Sequence, residues 1–387
     1  MAETLTACVI ARDEEQRLPA CLESLAFCDE IVVVDSGSRD RTREIALEAG
    51  AQLVENPWPG FATQRNVALD HASCDWVLEI DADERVSPEL ADDIRALLAD
   101  PPRQVRMTAI PMRDVFLGGE LGPASRYPRY RHRLFRRGAF RHDESRAVHE
   151  GLWPDGPTLP LQGDLQHLLA SSYGEAFADA REYARLEGSQ RGRPGPGEAL
   201  AGAVLRPAAK LAYRLGLYGG WRDGWRGLVK VGLECAAEAA GMAYRFRSRI
   251  PADADSGPAH QPPRVGPVRF VGIAYGAGSA RRLSRWLAAA EETGADVALI
   301  CDRPSAATGV RCRTLDSRGP GALLRALDAE DQIRPIDAVV PAGRRERLLL
   351  RLAPRALRGA VAPIDSRRPA ADAERQARTA TRGSIAT

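Results

Sequence analysis

Two carboxylates follow a short apolar run that has the composition of a buried β-strand. Residues 76–80 read Trp-Val-Leu-Glu-Ile, and Asp81 and Asp83 come directly after them. Carboxylate oxygens are the ligands that Mg²⁺ and Mn²⁺ prefer, and both cations keep coordination positions open for substrate phosphate. The spacing therefore predicts a divalent-cation site. The alternative is an acidic loop that precedes a helix capped by Ser87.

A further carboxylate, Asp35, ends another apolar run and is followed by Gly37. At the end of a strand a carboxylate can accept hydrogen bonds from a ribose hydroxyl or a base imide, while glycine lets the backbone approach the ligand. The same segment can instead begin a helix whose first amides are capped by Ser38 or Asp40. The local sequence leaves both interpretations open.

Arg65 stands between two amides, Gln64 and Asn66, near the start of a predicted helix. A cation with two amides could bind phosphate. Taken alone, however, this pattern indicates a solvated helix face.

The elements around these residues alternate between strand and helix. Apolar runs at 5–11, 30–35, 51–54 and 76–80 are separated by segments with helical periodicity. Parallel strands need crossover helices, so residues 1 to about 100 should form one open α/β sheet with ligands at the carboxyl ends of its strands. Residues 104–165, with strand-like pieces broken by Gly and Pro, predict a β-rich second half of the same domain.

Composition and charge exclude several classes of protein. The 387 residues carry 54 basic and 52 acidic side chains, so the chain is not a general binder of nucleic acid. Lys210 and Lys230 are the only lysines, and we discount arginine counts accordingly. Seven cysteines without a CxxC pair argue against a disulfide framework or structural zinc and favour a reducing compartment. No signal peptide or bilayer-spanning run is evident, which predicts a cytoplasmic protein.

The second half of the chain changes character. A helix is predicted from Tyr173 to Arg191, and the stretch after it mixes arginine with Trp221 and Trp225. Amphipathic helices of this kind can lie on an anionic membrane or can simply pack on the catalytic domain. The residues at 276–279, Gly-Ala-Gly-Ser, lack the third glycine of a dinucleotide fingerprint and indicate a tight turn. We predict a catalytic domain at 1–195, a basic and aromatic helical extension at 196–250, a linker at 251–267, a small α/β domain at 268–366 and a flexible tail at 367–387.

The order of many segments resembles the family 2 glycosyltransferases, which have the GT-A fold. The similarity is greatest to their lipopolysaccharide-core branch, typified by the enzyme that adds β-linked glucose to the inner core. It covers roughly residues 5–249. The segments that carry it are ARDEEQRLPACLESL, EIVVVDSGSRDRTREIA, NPWPGFATQRNVAL, DWVLEIDADERVSPEL, RLFRRG, AVHEG, GDLQH and GWRDGWRG.

The resemblance implies a nucleotide-sugar pocket, with a UDP-sugar as the expected donor. Asp35 would contact the uracil or ribose. The backbone near Ala11 and the side chain of Glu14 would line the same pocket. Arg65 would approach the base or the diphosphate.

The resemblance also implies a divalent cation, Mg²⁺ or Mn²⁺, and an inverting single displacement. Asp81 would face the ribose and the metal, Asp83 would be the more direct ligand, and His167 would complete the cation site. Glu150 matches the position of the catalytic base, which takes a proton from the acceptor hydroxyl. Asp143 and Glu144 are close enough in sequence to compete with it, and Glu150 could instead only pair with a nearby arginine.

The acceptor is expected to be a lipopolysaccharide-core or related glycolipid, reached by peripheral contact with the inner face of the cell membrane. Two departures bear on the transfer of these roles. Asp13 stands where relatives commonly carry Asn, and Arg129 and Arg131 replace Asp and Gln. The added arginines suit a phosphorylated or acidic acceptor, although an ordinary basic surface is the alternative.

Two other functions compete with glycosyl transfer. A nucleotidyltransferase also joins an α/β nucleotide fold to acidic metal ligands, but the first strand is followed by ARDEEQRLP, which has no glycine-rich phosphate loop. A degenerate transferase that only binds glycolipid or assembly partners is a different class of answer. The presence of Asp81, Asp83 and Glu150 counts against it.

Overall fold

The computed structural model describes most of the first 247 residues and parts of the remainder. It divides into two compact units, Met1–His260 and Gln261–Thr387. The boundary falls in the predicted linker, which, like the predicted tail at 367–387, lies outside the described residues. The described residues are 2–144, 158–189, 194–247, 269–275, 277–292, 296–301, 311–315, 320–333, 336, 338–342 and 362–363.

The first unit begins with alternating strands and helices. These are β1 (Leu5–Ala11), α1 (Leu18–Ser24), β2 (Glu30–Asp35), α2 (Thr42–Glu48), β3 (Gln52–Glu55), α3 (Phe61–His71) and β4 (Trp76–Asp81). The four strands are parallel, in the order β3-β2-β1-β4. Ala11 pairs with Asp35 and Ile10 with Asp81, so the carboxyl ends of three strands meet at one edge. The predicted parallel α/β arrangement is confirmed.

The sheet then continues with mostly short strands of mixed direction, as the β-rich composition predicts. The strands are β5 (Glu84–Val86), β6 (Met107–Phe116), β7 (Gly119–Glu120), β8 (Arg129–Arg131), β9 (Leu134–Arg136), β10 (Thr158–Pro160) and β11 (Leu165–Ala170). Helix α4 (Pro88–Ala99) lies between β5 and β6 in the chain. Strand β9 is antiparallel to β4 and leads on to β6, β11 and β5. Among the described residues this gives one mixed sheet with helices, a GT-A-like arrangement.

Helices cover both faces of the parallel strands because β1 alternates its side chains. Leu5 and Val9 pack in one apolar core with α1 and α4, including Leu22 and Ile94. Cys8 points to the other face, where it packs with α3. The sheet is therefore buried on both sides, and the polar ends of its strands are where a ligand can approach.

The first unit ends in packed helices. They are α5 (Tyr173–Ser189), α6 (Pro196–Leu200), a π-helical turn (Ala201–Leu205), α7 (Arg206–Leu211), a second π-helical turn (Ala212–Leu217), a 3₁₀ turn (Gly220–Asp223) and α8 (Gly224–Arg247). Helices α5 and α8 touch backbone to backbone, because a Cβ at Gly188 would lie 2.5 Å from the Gly241 carbonyl oxygen. None of the described helices combines the length and the apolar character needed to span a bilayer.

The second unit is a smaller parallel sheet. Its elements are β12 (Arg269–Ala274), α9 (Ala277–Glu292), β13 (Asp296–Cys301), β14 (Arg311–Thr314), α10 (Pro320–Ile333), β15 (Ala338–Pro341) and β16 (Ala362–Pro363). The described strands lie in the order β14-β13-β12-β15-β16. Phe270, Leu287 and Leu299 share an apolar core, and the smaller α/β unit predicted from sequence is confirmed.

Candidate active site

The carboxylate at the end of β4 is held by two arginines. Arg65 Nη2 donates to Asp81 Oδ1 at 2.7 Å, and Arg133 Nη2 donates to Asp81 Oδ2 at 2.6 Å. Arg133 also contacts Glu84 Oε1 at 3.2 Å, while Glu84 Oε2 accepts from the Asp81 amide at 2.9 Å. Burial opposes ionisation of Asp81, but the two guanidinium charges hold its pKa well below the usual range. For Glu84 burial prevails and raises the pKa.

A histidine and two carboxylates form a chain beside this pair. Strand β11 is antiparallel to β5 and parallel to β6, so His167 lies opposite both Glu84 and Asp114. His167 Nδ1 is 3.1 Å from Asp114 Oδ1, and Nε2 is 3.6 Å from Asp83 Oδ2. Arg129 donates to Asp114 Oδ1 at 2.9 Å. Burial lowers the pKa of His167, but Asp114 and Asp83 together raise it to about 9.

This chain fits part of a divalent-cation site. A carboxylate on Nδ1 fixes the ring and leaves Nε2 aimed at Asp83, which is how protein sites orient a ligating histidine. Asp83 and His167 would supply two ligands, and Mg²⁺ or Mn²⁺ commonly completes its shell with substrate phosphate and water. Both oxygens of Asp81 are taken by arginine. The described residues form no group of three His, Cys, Asp or Glu side chains that could hold a metal ion.

The carboxylate at the end of β2 is directed into its own turn. Asp35 is fully buried and accepts hydrogen bonds from the amides of Gly37 at 2.9 Å and Ser38 at 3.0 Å, and from the Ser38 hydroxyl. Gly37 has a φ of +88°, which favours glycine at this turn. Asp40 Oδ1 accepts from the Thr42 amide at 3.0 Å at the start of α2. Asp35 and Asp40 thus both satisfy amides of this loop, and the nucleoside contact of Asp35 stays a prediction.

The other predicted pocket residues lie at the same edge of the sheet. The carbonyl of Ala11 accepts from the amide of Ser36 at 3.0 Å. The amide of Glu14 donates to Thr42 Oγ1 at 2.8 Å. Burial raises the pKa of the Glu14 carboxyl, the charge of Arg17 opposes that shift, and the charge of Asp83 adds to it.

The departure at position 13 has a local role. Asp13 lies in the left-handed region with a φ of 55°, and its Oδ1 accepts from the Arg39 amide at 2.7 Å. The carboxylate of Asp13 therefore stabilises the loop after β2 by accepting a hydrogen bond from the backbone.

The polar face of α3 is buried, so the expectation of a solvated face is wrong. Gln64, Arg65 and Asn66 are 0%, 7% and 1% exposed. They are buried because each has a partner inside the unit. Asn66 exchanges hydrogen bonds with the backbone of His142 at 2.9 and 3.0 Å, and it donates to Glu144 Oε1 at 2.7 Å.

The contacts of α3 also involve Glu144, one of the acidic residues considered above as the catalytic base. Glu144 also accepts from the Thr63 hydroxyl at 3.2 Å, so both of its oxygens are bound to side chains of α3. Asp143 is exposed at the surface. Glu150 lies outside the described residues, and its role as the base stays a prediction.

Helix α5 contacts the start of α1. Arg17, at the start of α1, forms an ion pair with Glu175 on α5. Asp179 lies one turn further along α5. Burial raises its pKa, with the charge of Asp83 adding to the shift and that of Arg17 opposing it. The ion pair with Arg17 therefore ties the first turns of α5 to the start of α1.

Three residues of this arrangement escape the sequence patterns used above. Glu84 extends the acidic run and could have been suspected from it. Arg133 lies within the matching segment RLFRRG, yet nothing local marks it as a partner of Asp81. Asp114 gives no signal at all, because only the pairing of β6 with β11 brings it to His167.

Acidic side chains and arginines lie together at the carboxyl ends of the parallel strands. Asp83 and His167 can hold a hard cation, while Arg65 and Arg133 place two permanent positive charges within hydrogen-bonding distance of Asp81. Such a site can bind an anionic donor and stabilise a departing phosphate group.

Comparison with known proteins agrees with this chemistry. The family model described as "Glycosyl transferase family 2" matches residues 6–147. The lipopolysaccharide core biosynthesis glycosyltransferase LpsC of Rhizobium meliloti is 33% identical over 235 residues, which are 58% of this chain and 86% of that protein. An uncharacterized glycosyltransferase of Rickettsia conorii is 40% identical over 100 residues, 26% of this chain and 36% of that protein.

Among solved structures, the chain matches the mannosyltransferase PcManGT from Pyrobaculum calidifontis in complex with GDP-Man and Mn²⁺. It is 16% identical, covers 64% of this chain and 88% of that chain, and has a TM-score of 0.40. The family therefore follows from the sequence relatives. Since one third of the aligned residues are identical across most of a curated relative, the chain belongs to glycosyltransferase family 2 and is a nucleotide-sugar glycosyltransferase.

Proposed function

We propose that the protein transfers a hexose from a UDP-sugar to a lipopolysaccharide-core or related glycolipid acceptor, with inversion at the anomeric carbon. The observation that carries the proposal is the pair of Asp83 and His167, oriented by Asp114 beside the two arginines on Asp81. Support for the acceptor class comes from the resemblance to a lipopolysaccharide core glycosyltransferase over most of that relative's length.

In the proposed reaction Asp83 and His167 hold the divalent cation, and Asp81 faces the ribose. A bound cation neutralises charge that grows on the leaving diphosphate. Arg65 contributes a fixed positive charge at the same place, aimed by its contact with Asp81 at 2.7 Å. Asp35, Glu14 and the backbone at Ala11 shape the nucleoside side of the pocket.

The acceptor hydroxyl approaches from the face opposite the diphosphate. Glu150 takes the hydroxyl proton as the acceptor oxygen bonds to the anomeric carbon, and the bond from that carbon to the diphosphate oxygen breaks with its electron pair. No covalent sugar intermediate forms, because attack and departure occur in one displacement.

A donor panel tests the enzymatic proposal without knowledge of the acceptor. The protein is incubated with UDP-, ADP- and GDP-sugars and Mn²⁺, and slow hydrolysis is scored. We expect hydrolysis of a UDP-sugar that is lost in Asp83→Ala. It should be retained in Asp92→Ala, whose side chain is 78% exposed on α4. Absence of donor binding and hydrolysis in the unmodified protein would contradict the proposal and favour a binding module.

We also infer that the helices after the sheet contact an anionic membrane surface. Among the described residues, eleven of the fourteen exposed large apolar side chains lie between positions 173 and 228, where arginines are interleaved with them. Apolar and cationic groups together favour an anionic lipid interface. The eleven are Tyr173, Phe177, Tyr183, Leu186, Leu200, Val204, Leu205, Leu211, Trp221, Trp225 and Leu228.

Flotation with vesicles tests the membrane contact. We expect the protein to float with phosphatidylglycerol vesicles and not with neutral ones. Trp225→Ala should weaken this, because its ring is 47% exposed on α8. Trp58→Ala is the matched control, since that ring is 41% exposed in a loop before α3. Equal flotation with both vesicle types would contradict the inference.

A further inference from the structure

Three arginines occupy alternate positions at the edge of the site, and two of them form ion pairs with carboxylates of the protein. Arg129 pairs with Asp114 at 2.9 Å, and Arg133 pairs with Asp81 and Glu84 at 2.6 and 3.2 Å. Both side chains are mostly buried, at 18% and 13% exposed. Their charges are thus balanced by carboxylates of the sheet.

Arg131 lies between them and is not balanced in this way. It ends β8, is paired in register with Ile110, and is exposed. Its side chain forms no hydrogen bond or ion pair within the part of the chain that the structure describes. The sequence around it is Arg129-Tyr130-Arg131-His132-Arg133, so its nearest charged neighbours along the chain are both cations.

Charges of both signs lie around Arg131, two arginines and two carboxylates. The guanidinium is partly enclosed by the protein although the residue as a whole is exposed. This burial, together with the charges of Arg129 and Arg133, lowers its pKa to about 10, and the attraction of Glu84 and Asp114 only partly compensates. An anion beside the guanidinium would supply the partner that this side chain lacks among the described residues.

We propose that Arg131 binds a phosphate-type oxyanion of a substrate at the edge of the active site. The planar guanidinium can present two parallel N–H groups to such an anion. The oxyanion belongs either to the diphosphate of the donor or to an anionic group on the acceptor. The inference rests on the proposed glycosyl transfer, because that reaction is what brings such a substrate to the site.

Isothermal titration calorimetry with two ligands distinguishes the donor diphosphate from an anionic group on the acceptor. The full-length protein and Arg131→Gln are titrated with UDP in the presence of MnCl₂, and separately with glucose 6-phosphate. Loss of one charge-assisted contact should weaken binding of the relevant probe about 10- to 100-fold. Weaker UDP binding assigns the donor diphosphate, and weaker glucose 6-phosphate binding assigns the acceptor side. Arg131→Lys should lose less than Arg131→Gln, because it keeps the charge without the planar fork.

The control is Arg106→Gln. Arg106 is also exposed, but it precedes the first residue of β6, whereas Asp114 lies near the other end of that strand. The Arg106→Gln protein should bind UDP and glucose 6-phosphate with the same affinity as the unmodified protein. Unchanged affinity of Arg131→Gln for both probes would overturn the inference. In contrast, failure of the unmodified protein to bind UDP would count against the proposed function itself.

Discussion

The buried contact between Arg133 and Glu84 predicts a specific energetic coupling. Glu84 is 1% exposed and Arg133 13%, so Arg133→Met leaves a carboxylate in the sheet without its cation. Removing one partner of a buried pair typically costs about 3–5 kcal/mol. Asp81 is 29% exposed and keeps Arg65, so its share of the loss is smaller. We therefore expect Arg133→Met to destabilise the first unit by about 4 kcal/mol.

The coupling appears when Glu84 is neutralised. In a Glu84→Gln background the same Arg133→Met change removes only the contact with Asp81, which is worth about 2 kcal/mol. The difference of about 2 kcal/mol between the two backgrounds corresponds to roughly a 30-fold change in a local opening equilibrium.

Native-state hydrogen exchange of the β4 and β9 amides measures these opening free energies within the first unit. Arg136→Met is a control on the same sheet, because its partner Glu3 is 27% exposed instead of buried. It should cost no more than about 1 kcal/mol. Equal losses from Arg133→Met in both backgrounds, within about 0.5 kcal/mol, would refute the reasoning.

Three further predictions concern catalysis, the cation and pH. Glu150→Gln should lower turnover about 10²- to 10⁴-fold, with donor affinity nearly unchanged in a titration; near-normal turnover would exclude Glu150 as the base. Asp114→Asn should weaken Mn²⁺ binding about 10- to 100-fold, measured by electron paramagnetic resonance, because the acceptor that orients the neighbouring histidine loses its negative charge; equal affinity would contradict that role. Burial opposes ionisation of Glu234, but Lys230 and Arg214 lower its pKa, so its stabilisation is present above about pH 4.5 and is lost as the pH falls through the lowered pKa. Exchange of the α8 amides should show Glu234→Gln about 2 kcal/mol less stable at pH 7 and little different at pH 3; a constant difference would argue against an ionic contribution.

The first four strands could be predicted because each is a short apolar run followed by a polar break. The run at 30–35 became β2 with the same bounds, and that at 76–80 became β4, one residue longer. Local composition suffices here, since strands covered on both faces by crossover helices are mostly apolar. The positions of Asp35 and Asp81 at the sheet edge follow from the same logic.

The partners of these carboxylates could not be predicted in the same way. Arg133 and Asp114 reach the site only through pairings of β9 and β11 with strands distant in sequence. Register of that kind is set by side-chain packing across the sheet and leaves no local pattern. The burial of Gln64 and Asn66 was missed for the same reason, because their partners come from other parts of the chain.

The pairing of β11 with both β5 and β6 also says when the site comes into existence. As the ribosome releases the chain, Asp83 emerges first, Asp114 next and His167 last, and none of the three can meet until β11 has entered the sheet. The two carboxylates are therefore present in the growing chain before the imidazole of His167. The proposed cation site, which needs both Asp83 and His167, is therefore complete only once β11 has paired with β5 and β6.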